Sequence, residues 1–270
     1  MIGQGAFGQV VKAHDLCMDK SVAIKISLGT QQEIASARNE AQMLGRLEGT
    51  AQVVDQFASF EQRGFHFIVM ELMGPTLLSQ IRRRSLQLDQ VKSVTSQLLD
   101  GLKELKRKGV IHCDLKPENI LFTPTLDRIK ICDFGSSCLD YSSGFKYVQS
   151  RFYRAPEVVL GLRYTCQVDM WSLGCIVSEM LCGRPLFPAR NQQELLGMMQ
   201  EYSGPMPLQM LDSSANRHHP ADLNLLLRQD SIPSEKETFV KDCLRLDPFV
   251  RLTCEQASVH PWLQKTYKLH

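Results

Sequence analysis

The stretch G-Q-G-A-F-G-Q-V, residues 3–10, constrains the fold more than any other, because it runs into a β-branched segment. Glycines let a backbone come close to phosphate oxygens and turn N–H groups towards them. In a dinucleotide-binding fold such a loop must follow a strand and open a helix. Here Val10-Val11 come next, and residues 8–12 and 21–28 are rich in β-branched residues, so the loop precedes a strand. Taken alone, the glycines also fit a bare turn.

Residues 65–72, F-H-F-I-V-M-E-L, read as a further strand. Between them, residues 33–47 carry apolar positions at a spacing near 3.6 and read as a helix. After Gly74-Pro75 the character changes. Residues 76–108 hold two helical stretches, the second with Asp89 as N-cap and its end at Gly109. Short strand-like pieces surround I-H-C-D-L-K-P-E-N-I (111–120) and I-K-I-C (129–132). Helices are expected at 168–181, 191–200, 237–246 and 255–263, with an irregular Pro-, Ser- and His-rich loop at 203–234.

The expected fold class is therefore α+β. It has a small β lobe with one helix at 1–73, whose first strand looks truncated, and a larger helical lobe at 74–270. A chain of 270 residues can bury roughly three quarters of its unfolded surface in this way.

The charge balance excludes some partners. A net charge of +2 argues for neither nucleic acid nor a membrane surface. No apolar run approaches the length of a membrane helix, and the N-terminus has no secretory pattern. The nine cysteines include no C-x-x-C pair, which speaks against a zinc ribbon. Reduced thiols in an intracellular compartment, cytoplasmic or nuclear, are the expectation.

Four short segments carry chemistry. V-A-I-K (22–25) puts Lys25 on a strand, where a buried ammonium needs a counter-charge or a phosphate. Glu40 on the next helix is the natural partner, although for the pair taken alone two surface charges is the stronger reading. In 111–120, Asp114 can orient a hydroxyl and take its proton, Lys116 can neutralise a transferring phosphate, and Asn119 offers a hard oxygen to Mg²⁺. I-C-D-F-G (131–135) supplies Asp133 as a second Mg²⁺ ligand. Phosphoryl transfer asks a protein mainly for positioning and charge neutralisation, and these residue types meet that demand.

The order of glycine loop, V-A-I-K, helix Glu, H-x-D-L-K-P-E-N, D-F-G and A-P-E (155–157) resembles the protein-kinase signature set over nearly the whole chain. More narrowly, H-C-D-L-K-P-E-N-I-L, D-F-G-S-S-C and Y-V-Q-S-R-F-Y-R-A-P-E-V-V-L-G resemble the dual-specificity tyrosine-regulated kinases, the DYRK family.

That resemblance implies a five-stranded sheet with one helix over a mainly helical lobe, with ATP and Mg²⁺ between. Lys25 would hold the α- and β-phosphates and pair with Glu40. Asp114 would be the base, Lys116 would meet the γ-phosphate, and Asn119 and Asp133 would hold Mg²⁺. Gly3, Gly5 and Gly8 would cover the phosphates. Ile2, Val10, Ala23 and Leu121 would sandwich the adenine, with plain core packing the alternative for the last three. Met70 would be the gatekeeper, and Glu71 and Met73 would offer backbone hydrogen bonds. The implied activity is transfer to Ser or Thr of protein substrates, with proline-directed sites and an upstream Arg, by a monomer. The rival readings are a scaffold without catalysis and an inactive fragment.

Cys113 stands where many kinases have an Arg that pairs with a phosphorylated activation loop, and a thiol cannot replace it. By the resemblance, Tyr147 is the second Tyr of a Y-x-Y whose first position is Phe145, and it is expected to be autophosphorylated. Arg151 and Arg154 would clamp its phosphate, while an unmodified packed aromatic is the alternative. Cys132 reads as a small buried hydrophobe, with a reactive pocket thiol as the other possibility. Glu157 and Arg251 read as a buried pair, Asp169 and Trp171 as scaffold, and the basic runs at 82–84 and 106–108 as solvated faces.

Overall fold

The computed structural model describes residues 3–5, 8–27, 29–83, 86–140, 147–213 and 234–264. Ile2, Phe145 and most of the expected loop at 203–234 lie outside these residues.

The N-terminal part is an antiparallel five-stranded sheet in the order β1-β2-β3-β5-β4. Its strands are β1 Gly3–Gly5, β2 Gly8–Asp15, β3 Lys20–Ile26, β4 Gln56–Gln62 and β5 Phe65–Glu71. The glycine stretch thus lies in two paired strands, with Gly3 opposite Val10 and Gly5 opposite Gly8. A Cβ on Gly8 would lie 2.2 Å from the Ile26 carbonyl oxygen, so no side chain fits there. Strand β4 is an edge strand, mostly exposed, and its sequence Q-F-A-S-F-E-Q has few β-branched residues; the sequence pattern does not predict it.

One helix, α1 Gln31–Arg46, packs on this sheet. Thr30 and Glu33 form a capping box at its start. Its inward face is Ala37, Glu40, Met43 and Leu44, which places a carboxylate among apolar residues.

The remainder is mainly helical, built on α2 Leu77–Arg82, α3 Leu88–Arg107, α4 Pro156–Val159, α5 Gln167–Cys182, α6 Gln192–Ser203, α7 Leu208–Asp212, α8 Glu235–Cys243, α9 Cys254–Ser258 and α10 Pro261–Gln264. Small ladders pair β6 Val110–Ile111 with β9 Cys138–Leu139, and β7 Ile120–Phe122 with β8 Ile129–Ile131. Every residue of α5 from Val168 to Met180 is buried, so this helix is the axis of the larger core. No helix among the described residues is long and apolar enough to cross a membrane.

Four expected boundaries move. Helix α3 starts at Leu88, because the Gln90 side chain accepts from the Gln87 amide at 2.8 Å; Asp89 lies in the first turn and is not the cap. Helix α8 stops at Cys243, since the Asp242 carbonyl, which a longer helix would give to the Leu246 amide, accepts from the Leu252 amide at 3.1 Å. The expected helix at 255–263 is two helices, divided at His260, with Pro261 opening the second. Helix α7 occupies part of the stretch read as a loop.

Arg251 and Glu157 form the expected buried pair, at 2.8 and 2.9 Å through two guanidinium nitrogens. The same Arg251 donates to the Gln167 carbonyl at 2.7 Å. One guanidinium therefore ties α4, α5 and the segment after α8 together. Arg251→Met leaves Glu157 buried without a partner. It is expected to cost about 3–5 kcal/mol in urea unfolding, and adding Glu157→Met should restore part of that loss. An unchanged midpoint for Arg251→Met would show that the pair is peripheral.

Candidate active site

A cleft of about 740 Å³ runs between the sheet and the helical part. Val10 and Ala23 line it from β2 and β3, Met70 and Glu71 from β5, Met73 from the connector, and Leu121 from β7. Gly8, Lys25, Glu40, Asn119, Cys132 and Asp133 line it as well. The connector is fastened to the helical part: the Gly74 amide donates to Phe122 O at 2.7 Å, and the Phe122 amide donates to Pro75 O at 2.9 Å. A Cβ on Gly74 would meet the Thr123 carbonyl at 2.9 Å, so only glycine permits this approach.

Three charges meet in the cleft. Lys25 Nζ is 2.6 Å from Glu40 Oε2 and 2.7 Å from Asp133 Oδ1. Burial lowers the Lys25 pKa, but the two carboxylates outweigh it and the net shift is upward. Burial pushes Glu40 up and Lys25 pulls it back, with the net direction up. Burial likewise opposes ionisation of Asp133, yet Lys25 prevails and holds that carboxyl below its ordinary value. These directions describe an ammonium held charged between a fully enclosed carboxylate and a readily ionised one.

Helix α1 also fixes the segment that carries Asp133. Asn39 Nδ2 donates to the carbonyls of Gly135 and Ser137 at 3.2 and 2.9 Å, and Ser36 Oγ donates to Gly135 O at 3.2 Å.

A second cluster adjoins the first through Asn119, whose Nδ2 donates to the Asp114 carbonyl at 2.9 Å and whose own carbonyl accepts from the amide of Cys132, the neighbour of Asp133, at 2.9 Å. Lys116 Nζ donates to Asp114 Oδ2 at 2.7 Å. The Ser150 amide and hydroxyl both donate to Asp114 Oδ1 at 2.8 Å. Sequence reasoning missed Ser150. It belongs to the Q-S-R-F-Y-R run, but no residue-type argument separates it from other serines.

The loop holding Asp114 is strained and supported from below. Cys113 has φ 63°, uncommon for a non-glycine residue. The amides of His112 and Cys113 both donate to the buried carboxylate of Asp169, at 2.8 and 3.1 Å. Asp169 is scaffold, as the sequence suggests, but scaffold directly beneath the turn that leads into Asp114. Cys113 itself is enclosed, with its sulfur 3.6 Å from that of Cys138. That contact, then burial, pushes its thiol well up. Burial pushes Cys132 up too, which suits the packing role and not a reactive thiolate.

Of the expected clamp, the structure brings only Arg154 to Tyr147. Its guanidinium lies 3.9 Å over the ring and Nη1 donates to the phenol oxygen. Arg151 points elsewhere, donating to Arg190 O at 2.5 Å, because its short 3-10 turn, Arg151–Tyr153, turns it towards the segment before α6. The Gln149 amide donates to Cys113 O at 2.9 Å, so the position that lacks an Arg still contacts the activation segment through its backbone. A further hollow of about 430 Å³ is lined by Lys116, Glu118, Ser150, Arg151, Phe152 and Glu179, among others. Neither acid is singled out by sequence reasoning.

The protein kinase domain profile matches residues 1–263. The chain is 33% identical to human dual specificity tyrosine-phosphorylation-regulated kinase 3, over 98% of this chain and 53% of that protein. It is 37% identical to serine/threonine-protein kinase ppk5 of Schizosaccharomyces pombe, over 97% of this chain and 35% of the relative. Against dual specificity protein kinase YAK1 of Saccharomyces cerevisiae it is 38% identical, over 80% of this chain and 28% of the relative. The chain thus spans about a third to a half of the length of the first two of these relatives.

Asp169→Asn keeps the volume but can accept only one of the two amides through its oxygen. It is expected to lower stability by about 1–3 kcal/mol, read as a shift in the urea midpoint. A variant as stable as the parent would mean that the His112–Cys113 turn needs no carboxylate.

Proposed function

This chain belongs to the protein kinase domain family, and we propose that it transfers the γ-phosphate of ATP to Ser and Thr hydroxyls of proteins and to its own Tyr147. The observation that carries this reading is the linked pair of clusters: Lys25 between Glu40 and Asp133, and Asp114 with Lys116 and Ser150, joined through Asn119. Residues 1–73 act as the N-lobe and 74–270 as the C-lobe, with the nucleotide in the cleft between them.

The residues present fit Mg²⁺. Asp133 uses Oδ1 for Lys25, and Asn119 uses its amide nitrogen for Asp114, which leaves an oxygen of each for a cation that prefers hard donors. Among the described residues no cluster of His, Cys, Asp or Glu large enough to hold a metal by itself occurs, in keeping with a cation that completes its shell from phosphates and water. When bound, Mg²⁺ neutralises phosphate charge.

The chain's own groups do the rest. Val10, Ala23 and Leu121 provide apolar walls for the adenine. Glu71 and Met73 offer backbone groups beside it, with Met70 behind them. The Lys25 ammonium faces the phosphates, and Gly3, Gly5 and Gly8 allow the glycine strands to approach them. An acceptor hydroxyl takes the place of the Ser150 hydroxyl at Asp114 Oδ1, which orients it and accepts its proton. Lys116, already 2.7 Å from Asp114, offsets charge on the transferring group.

The hollow beside Lys116 and Ser150 holds Arg82 and Arg151 as well as Glu118 and Glu179; Glu179 is buried and accepts from the Tyr153 hydroxyl at 2.7 Å, so the exposed Glu118 is the carboxylate open to a basic side chain upstream of the acceptor. A proline after the acceptor is what the family resemblance implies. The active unit is a single chain, as the family resemblance implies, and its place is inside the cell, where nine cysteines without a C-x-x-C pair are expected to stay reduced. The scaffold reading has no observation in its favour, since Lys25, Asp114, Asn119 and Asp133 are all present and connected.

Radiolabelled transfer from ATP–Mg²⁺ to Ser/Thr peptides should exceed that of Asp114→Asn by about a hundredfold or more. Transfer no higher than that control would falsify the enzyme reading. Glu118→Ala should raise KM about tenfold for a peptide with an upstream Arg and leave the matching Ala peptide unchanged. Equal effects on both peptides would remove Glu118 from specificity. Peptide mass spectrometry of the active protein should find a phosphate on Tyr147, and a fully active chain without it would refute autophosphorylation.

A further inference from the structure

Lys130 serves none of the catalytic or nucleotide-binding roles, yet it is enclosed and bonded to two carboxylates. It stands on β8 directly opposite Leu121 of β7, whose side chain lines the cleft. Its Nζ lies 2.5 Å from Glu71 Oε1 and 2.8 Å from Asp55 Oδ2. The two acids are themselves joined. The Asp55 amide donates to Glu71 Oε1 at 2.7 Å, and the Glu71 amide donates to Asp55 O at 3.0 Å. Lys130 is largely enclosed, with 15% of its side chain exposed against 23% for Glu71 and 48% for Asp55. Its cost of desolvation is therefore met by two carboxylates on one side.

The surrounding backbone gives this cluster leverage. The Val54 amide donates to Ile131 O at 3.1 Å and the Ile131 amide donates to Gln52 O at 2.7 Å, so the segment before β4 is stitched to β8. Glu71 ends β5 and opens the connector, and Gly74 and Pro75 are bonded to Phe122 of β7. The connector is thus held by β7 at one end and by the Lys130 charge, from the paired strand β8, at the other.

We propose that Lys130 is a positioning residue that latches Glu71 and Asp55 to the β7–β8 ladder, and so fixes the connector backbone for nucleotide binding. The proposal rests on the cleft being the nucleotide site. Lys130 touches no reacting atom; it acts through Glu71. Its loss frees the angle between sheet and helical part, which weakens nucleotide binding more than it slows transfer.

The test compares the parent with Lys130→Met, Lys130→Arg, Asp55→Asn and the Lys130→Met/Asp55→Asn double variant. Affinity for the β,γ-imido analogue of ATP with Mg²⁺ is measured by calorimetry, beside KM and kcat. Lys130→Met is expected to weaken binding and raise KM for ATP about fivefold, with kcat within about twofold of the parent. Lys130→Arg should restore both, and the double variant should be no weaker than Lys130→Met alone. Hydrogen exchange should quicken at residues 52–55 and 71–76 without quickening in α5. Unchanged affinity and exchange in Lys130→Met, multiplicative losses in the double variant, or acceleration throughout the chain would each overturn the latch. A parent that binds the analogue but transfers no phosphate ends the kinase reading and leaves the affinity comparison to decide the latch. A parent that binds none ends the nucleotide site and the latch's role in binding together.

Discussion

The arrangement depends on one ammonium group. Lys25 extends from the middle of a sheet into a cleft, and its charge is met by Glu40 from helix α1 and Asp133 from the helical part. Without Lys25, Glu40 would be a carboxylate on the apolar face of a helix, which burial disfavours. Without Glu40, α1 would lose its buried polar tie to the sheet and keep only the exposed pair of Arg38 with Glu61 among those described, and the Asn39 and Ser36 contacts that hold the Asp133 segment would lose their reference. The charge therefore sets helix against sheet and sheet against the second half of the chain. It also leaves a cation where triphosphate oxygens need one.

The same economy governs the loop below. Cys113 and Asp133 both have positive φ, 63° and 64°, which costs free energy that the surroundings must supply. For Cys113 the support is Asp169, buried at the start of the central helix and bonded to two successive amides. The absent Arg of that loop is compensated by packing, with the thiol of Cys113 against that of Cys138, and by the backbone bond from Gln149. Of the two arginines expected there, Arg154 holds Tyr147, while Arg151 is turned away. A phosphate on Tyr147 would find one guanidinium in place and would have to recruit the other.

Much of this is legible in the chain because charges that must pair or meet phosphate occur in a fixed order. Asp114, Asn119 and Asp133 can be read from residue chemistry, and Lys25 with Glu40 from the order of motifs that resembles the kinases; all five line or adjoin the cleft. The long helices are legible from their periodicity. The edge strand β4 is not, since an exposed strand without β-branched residues carries no pattern. The end of α8 is not, because a backbone amide from beyond the helix, that of Leu252, takes the carbonyl of Asp242. Ser150, Glu118, Glu179 and Lys130 are equally hidden, as each gains its role from neighbours distant in sequence. Ile2 lies outside the described residues.

The proposed activity stands on Lys25 and Asp133 forming the seat of a triphosphate with its cation. Calorimetric affinity for ATP, with and without Mg²⁺, in the parent and in Asp133→Asn, tests that most directly. The cation is predicted to tighten binding about tenfold or more in the parent, a gain of roughly 1.4 kcal/mol or more, and to do little in the variant. A parent indifferent to Mg²⁺, or a variant that keeps the full gain, would contradict it.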